Sequence, residues 1–267
     1  MKIHIGCGKK HFPGYVNIDV QRYESVDQKG TANHLPGLSS GSVDQVFLNA
    51  VFEHLYPAQQ PSAIEEWKRV LKPGGLLLVT GTPDFEKCAE LYLKHAAGQG
   101  GPRFDLYHLY RYTHGAPEEF SPAVWGHWRA DKNSERTPKG WLPQLHKALF
   151  DVEYLSELLR TSGLHFSLFR YAYPGEKEIV TLGFVASKSP DAFAWNDRAA
   201  VMKLLAEVPQ METMINLPTV EMVGAGKLGD QFVGYVRRHA ERPFPTLYER
   251  IVGKIDRTFR SRSLIRR

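Results

Sequence analysis

The residues best suited to chemistry begin at the sixth position. Gly6-Cys7-Gly8 follows directly on Lys2–Ile5, a short apolar run that reads as a strand. Glycines in that place let the backbone approach a ligand closely, and the turn after them offers N–H groups to an anion. Asp19 stands at the end of a second predicted strand, YVNID, where a carboxylate can accept hydrogen bonds from ribose hydroxyls. Strand, GxG, strand and acid, in that order, describe a nucleoside-binding crevice. The dinucleotide fingerprint GxGxxG is absent, because His11 occupies the place of the third glycine and Asp19 follows too soon. A nicotinamide oxidoreductase is therefore disfavoured.

Candidate proton-transfer groups come later in the chain. Residues 98–149 hold His108, His114, His127 and His146, four of the eleven histidines, together with Trp125, Trp128 and Trp141, three of the five tryptophans. Imidazole titrates near neutral pH, so each histidine suits a general base. His108 and His114 have neither i, i+4 nor His-x-His spacing, which would set two ligands on one face, so no metal is expected. Asp84, just after an apolar run, is another candidate base and also a natural N-cap for a helix to about Ala97. Cys7 reads as a small apolar filler rather than a nucleophile.

These groups need a frame to hold them. The first half of the chain alternates short apolar runs with helical patterns, as an α/β domain with a mostly parallel sheet does. Strands are predicted at 2–5, 15–19, 42–49 and 76–81. A helix over 61–72 sets Ile64, Trp67, Val70 and Leu71 on one face and stops at Pro73-Gly74-Gly75. After Gly98 periodicity disappears until Asp151, and so long an aperiodic stretch reads as a lid or substrate-binding insertion over 98–149. A helix from Asp151, capped near Gly163, leads into a closing hairpin of 165–173 and 178–187. The domain is expected to span 1–188. A helical, basic appendage over 189–267 follows, helical at 195–208, rich in Pro, Gly and Met at 209–229, and helical again from 231.

Of the 267 residues, 42% are hydrophobic and 12% aromatic, which excludes global disorder. No apolar run reaches the length of a membrane span, and MKIHIGCGKK lacks the apolar core of a signal peptide, so a mature start is expected. Two cysteines, Cys7 and Cys88, make neither a disulfide framework nor a zinc pattern, which points to a cytoplasmic protein. The net charge of +5 is unevenly placed: 227–267 carries 11 basic and 4 acidic residues, leaving 1–226 at −2 with 23 basic and 25 acidic. Within 243–267, Leu247, Tyr248, Ile251, Val252, Ile255 and Phe259 form an apolar stripe beside arginines and Lys254. Such a helix can lie on an anionic membrane surface or dock on a protein partner, readings preferred here over binding of nucleic acid. Peripheral attachment to the inner face of the membrane is the matching localisation.

Three stretches carry a family resemblance. IHIGCGKKHFPGYVNIDV, LPGLSSGSVDQVFLNAVFEHL and EEWKRVLKPGGLLLVTGTPDF, in this order, resemble the class I methyltransferases that use S-adenosylmethionine. They are most similar to a short, mostly bacterial subgroup whose first motif is GCGxxxxPGxxNxD. The resemblance covers about residues 2–187 and leaves 190–267 uncovered. It implies a Rossmann-like fold with a mostly parallel seven-stranded sheet closed by a β-hairpin. It also implies that Gly6, Cys7 and Gly8 line the methionine part of the cofactor, and that Asp19, with Val20 beside it, binds the ribose. Asn49 and Ala50 would face the sulfonium, and Glu53-His54 matches the family's Glu-His pair. Thr31 stands where many relatives have an adenine-binding Asp, which shifts the expected adenine contact towards Thr31 or the backbone of Ala32. A His-x-x-x-Phe-Asp segment, here from His146, returns the chain to the mouth of the cleft.

For methyl transfer to a hydroxyl the protein must align the acceptor, exclude water and remove a proton. His146 is the favoured base, with His54, Asp84 and His108 as further candidates. The subgroup is often found among surface-polysaccharide biosynthesis functions, so the expected acceptor is a sugar or glycan, lipid-linked or free, or another small polar hydroxyl. The alternatives are a nucleic-acid methyltransferase using the basic tail, which lacks support from an NPPY-type motif, and a non-catalytic module that kept the fold.

Overall fold

The computed structural model describes residues 1–101, 103–105, 108–109, 112–113 and 146–226. His114, His127 and the basic stretch 243–267 lie outside the described residues. Eight strands form one sheet: β1 Lys2–Ile5, β2 Tyr15–Asp19, β3 Gln28–Lys29, β4 Val43–Asn49, β5 Leu71–Pro83, β6 His165–Tyr171, β7 Thr181–Ser187 and β8 Glu221–Gly226. Their order is β3-β2-β1-β4-β5-β7-β6-β8. Strands β1 to β5 pair in parallel, β7 runs antiparallel to both β5 and β6, and β8 runs antiparallel to β6. The fold is thus the expected α/β, Rossmann-like arrangement closed by a hairpin, with one strand more than the seven predicted.

Four helices are described: α1 Gln60–Val70, α2 Phe85–Ala96, α3 Val152–Thr161 and α4 Arg198–Ala206. Three begin on an aspartate whose side chain accepts from a backbone N–H of the first turn. Asp84 takes that of Lys87 at 3.3 Å, Asp151 that of Tyr154 at 2.7 Å and Asp197 that of Ala199 at 2.8 Å. A carboxylate there satisfies an otherwise orphaned donor and suits the positive end of the helix dipole.

No helix joins β1 to β2, although parallel neighbours are usually linked by a crossover of a dozen or more residues. Phe12 takes the space instead. It is fully buried, stacked on His4 at 4.2 Å and on Phe47 at 5.8 Å. Buried Asn17 fixes the link by accepting from the Phe12 N–H at 3.0 Å and donating to the Phe12 and Tyr15 carbonyls at 3.3 and 3.2 Å. Burial lowers the His4 pKa to about 4, so a neutral imidazole packs under the phenyl ring. The motif GCGxxxxPGxxNxD therefore encodes a helix-free connection as well as a ligand loop.

Because strand side chains alternate, the sheet has two faces to cover. Val46, Leu48, Leu77, Val79, Leu168 and Phe184 pack with Ile64 and Trp67 of α1 and Leu155 and Leu159 of α3. Phe47, Leu78, Phe169, Tyr171 and Val185 face the other way, against Phe12, Val201, Leu204, Leu205, Val208, Met211 and Ile215. This corrects the expected boundary at 188. The compact unit runs Met1–Leu228, and α4 with the segment after it covers the second face. Each fully buried aliphatic side chain stabilises such a layer by about 1.5–3 kcal/mol, so 198–220 is integral to the core. β8 extends the β6 edge, pairing Phe166 with Gly226. Residues 227–267 lie outside the described residues.

Candidate functional site

The C-terminal edge of the parallel strands is drawn together by two close approaches. Gly6 leaves β1 with φ 71°, and a β-carbon there would lie 2.2 Å from Cγ2 of Val51. Glycine alone lets the loop after β1 close on the segment after β4. At Gly81, φ 85°, a β-carbon would lie 2.3 Å from the Ala50 nitrogen. Ala50 itself sits at φ 54°, an uncommon conformation for a residue with a side chain, held by its N–H bond to the Thr80 carbonyl at 2.9 Å. Thr80 Oγ1 donates to Asn49 Oδ1 at 2.9 Å and orients that amide. Gly6 is thus brought against Val51, next to Asn49 and Ala50, and Gly81 against Ala50; the sequence singled out neither Val51 nor Gly81.

Asp19 ends β2 beside the loop and is buried. Its Oδ2 accepts from the Gly8 N–H and its Oδ1 from the Gln21 N–H, both at 2.8 Å. The N–H groups of Gly6 and Cys7 both reach the Ile18 carbonyl, at 2.7 and 3.2 Å, and Ser25 Oγ donates to the Gly8 carbonyl at 2.6 Å. These amides therefore fix the loop from within and are not offered to an anion. The loop still fits a nucleoside. Asp19 uses two of the roughly four acceptor positions of a carboxylate, and a β-carbon on Gly8 would meet nothing within 4 Å, so that edge borders open space. Burial pushes the Cys7 thiol up to about 11, with the Asp19 charge adding to it, in keeping with a packing role.

The outer contacts are less uniform. Val20 is 56% exposed beside Asp19. Thr31 is exposed, with Oγ1 donating to the His34 carbonyl at 3.4 Å. The Ala32 carbonyl accepts from Trp67 Nε1 at 2.7 Å, which ties this backbone to α1.

From Val51 the chain enters a short 3-10 turn, Phe52–His54. Phe52 is fully buried against Trp67, Phe150 and Phe184, with ring centroids 5.5, 5.2 and 6.1 Å apart, and so anchors the turn in the core. The end of the insertion is pinned beside it. The Lys147 N–H donates to the Glu53 carbonyl at 2.7 Å, and the Phe85 N–H donates to the Phe150 carbonyl at 2.8 Å. This brings His146 to Glu53 and His54. Glu53 Oε1 lies 3.8 Å from His54 Nε2 and 4.0 Å from His146 Nε2, and the imidazole centroids are 5.2 Å apart at 73°. Burial pushes the Glu53 carboxyl up to about 8. Glu53, expected on the cofactor side, stands here with the two histidines.

Two other catalytic candidates are placed elsewhere. Asp84 is completely buried as the cap of α2, and its Oδ2 accepts from Arg170 Nε at 2.5 Å, while Arg170 also bonds Glu86 at 2.6 Å. Burial raises the Asp84 pKa against the pull of that guanidinium. Both of its oxygens serve the fold, which corrects its reading as a base. His108 bonds Asp105 Oδ1 through Nδ1 at 2.8 Å and packs on Phe104, which itself belongs to a small apolar cluster with Cys88 and Val180. It is not part of the group formed by Glu53, His54 and His146.

Residues 7–79 match a family described as a methyltransferase domain. No curated protein matches the chain. Several solved structures are similar at low identity. A SAM-dependent methyltransferase from Thermotoga maritima, a possible histamine N-methyltransferase, is 17% identical over 70% of this chain and 81% of its own, with a TM-score of 0.40. A SAM-dependent methyltransferase from Methanosarcina mazei is 16% identical over 70% and 92%, with a TM-score of 0.43. The Burkholderia thailandensis 1,6-didemethyltoxoflavin-N1-methyltransferase, with S-adenosylhomocysteine bound, is 10% identical over 70% of each chain, with a TM-score of 0.41. The match over residues 7–79, together with the strand order and the glycine loop with its acid, supports a methyltransferase domain with S-adenosylmethionine as its cofactor.

Proposed function

We propose that this chain is an S-adenosylmethionine-dependent methyltransferase that O-methylates a sugar or glycan, lipid-linked or free, or another small polar hydroxyl compound. The observation that carries the reading is the gathering of His54 and His146 at Glu53, two residues beyond Val51, the residue against which the glycine loop closes. S-Adenosylmethionine supplies the methyl group on a sulfonium, already an activated leaving group. Gly6, Cys7 and Gly8 would hold its methionine end, and Asp19 its ribose, through the acceptor positions left unused by Gly8 and Gln21. Asn49 and Ala50 border the reacting centre from the end of β4. Amine and thiol acceptors make smaller demands on a base. A hydroxyl must lose its proton as the new bond forms, and a buried carboxylate flanked by two imidazoles suits that task.

The basic, partly apolar segment 243–267 supports a second element of the proposal, attachment to an anionic membrane surface or to a protein partner. Nucleic acid remains the lesser reading, because the charge of residues 1–226 is −2. The enzymatic reading is tested by S-adenosylmethionine-dependent transfer with mass detection against glycan and lipid extracts. His146→Ala and His54→Ala are each expected to lower the rate about 100- to 10,000-fold while cofactor binding persists. Full activity in both variants removes the assignment of the cluster.

A further inference from the structure

Glu53, His54 and His146 come from two distant stretches of chain, yet one donor atom from each lies within 4.8 Å of the other two. The two Glu53–imidazole separations, 3.8 and 4.0 Å, are longer than a hydrogen bond. We propose that these three side chains form a binding site for a first-row divalent metal ion of the zinc type, held by two imidazole nitrogens and one carboxylate oxygen.

The dimensions fit. Donors placed about 2.0–2.2 Å from a tetrahedral ion stand about 3.3–3.6 Å apart, so side-chain rotations on the order of 0.5–1 Å at the donor atoms bring the set onto an ion. The ligand-bearing stretches are already fixed, by the Lys147 N–H bond to the Glu53 carbonyl and by the packing of Phe52 on Phe150. Two imidazoles and a carboxylate suit zinc, cobalt, nickel, iron or manganese rather than calcium or magnesium, which prefer oxygen donors throughout.

The surroundings also call for a cation. The Glu53 side chain is 2% exposed, and an ionised carboxylate so far from water is costly unless paired. Among the described residues no lysine or arginine pairs with it, and its Oε2 has no hydrogen-bond partner. The side chains of His146 and His54 are 12% and 24% exposed, which leaves a way in on the histidine side. Three protein ligands leave at least one coordination position open, as in catalytic rather than structural zinc sites.

The ion's part in catalysis rests on the O-methylation reading above, whereas its binding does not. With an ion bound, the three side chains would hold it in place of taking the proton themselves, and an acceptor hydroxyl on the ion would release its proton to solvent far more readily, as water does when its pKa falls to about 7 on zinc. The oxygen lone pair then forms the bond to the methyl carbon while the sulfur–carbon pair stays on sulfur. The spacings that speak against a metal lie within 98–149, whereas this cluster is assembled across the fold.

The test is titration of the metal-stripped full chain with cobalt(II) chloride, without S-adenosylmethionine, read by visible absorption and closed by competition with zinc chloride. The expected result is saturable binding of one equivalent, weakened about 100-fold or more in His146→Ala and in His54→Ala, with near-ultraviolet circular dichroism unchanged. His108→Ala, outside the cluster, retains the cobalt spectrum. Absence of a cobalt spectrum at stoichiometric protein, or a spectrum unaltered in both cluster variants, overturns the proposal. Cobalt binding that depends on the cluster in protein that methylates no hydroxyl supports the metal site and removes the O-methylation reading alone.

Discussion

Replacing Gly6 by alanine probes how the crevice is assembled. The new β-carbon would lie 2.2 Å from Val51 Cγ2, on a backbone with φ 71°. A side chain in the left-handed region costs about 1–2 kcal/mol, and forcing a methyl into a packed site costs about 1–3 kcal/mol. The sum, about 2–5 kcal/mol, lowers the melting temperature by roughly 5–15 °C for a unit of this size. The steric part belongs to a contact with one methyl group, so Val51→Ala should relieve it and leave the conformational part. Urea unfolding of the two single variants and the double variant reads this as a favourable coupling of about 1–2 kcal/mol. Calorimetry should show weakened S-adenosylmethionine binding in Gly6→Ala. Unchanged urea midpoints in Gly6→Ala, or costs that simply add in the double variant, contradict the packing of the β1 loop on Val51.

Three further outcomes follow from individual groups. Arg170→Ala leaves the buried Asp84 carboxylate without its cation, so it should cost about 3–5 kcal/mol in urea unfolding. Asn17→Ala removes the amide that holds the helix-free link between β1 and β2, and a loss of about 2–4 kcal/mol is expected in the same assay. Glu66 is held down to about 2 from 4.5 by the Arg69 guanidinium. With the folded pKa depressed, its stabilisation is complete above pH 4.5 and is lost as pH falls towards 2. Urea midpoints measured from pH 7 to 2 should place wild type above Glu66→Gln at neutral pH and bring the two together near pH 2.

Much of the frame was legible because it rests on local signals. The apolar run from Val46 to Leu48, the aspartate cap at 84 and the helix signals that begin at Asp151 each act within a few residues. β8 was missed because EMVGAG is poor in β-branched and aromatic residues. Its last glycine is required by tertiary packing, since a β-carbon on Gly226 would lie 2.4 Å from the Phe166 ring. The boundary near 188 followed the change in composition. A sharper signal was available: Val201, Leu204, Leu205, Val208 and Met211 are too apolar a series for a free appendage. At the site, Asp19 and the glycine loop were readable from spacing. The meeting of Glu53 with His146 was not, because the intervening chain sets it, and neither was the capture of Asp84 by Arg170, 86 residues away.

The central claim, that the crevice formed by Gly6–Gly8 and Asp19 binds S-adenosylmethionine, is met most directly by isothermal titration of the full chain with that cofactor. The structure predicts saturable binding of one equivalent. It further predicts that Asp19→Ala, which removes the anchor of the Gly8 and Gln21 amides along with the ribose acceptor, weakens binding by about 1.5–3 kcal/mol or more, a drop of roughly 10- to 100-fold at least. No saturable heat, or the same affinity with Asp19→Ala, would contradict it.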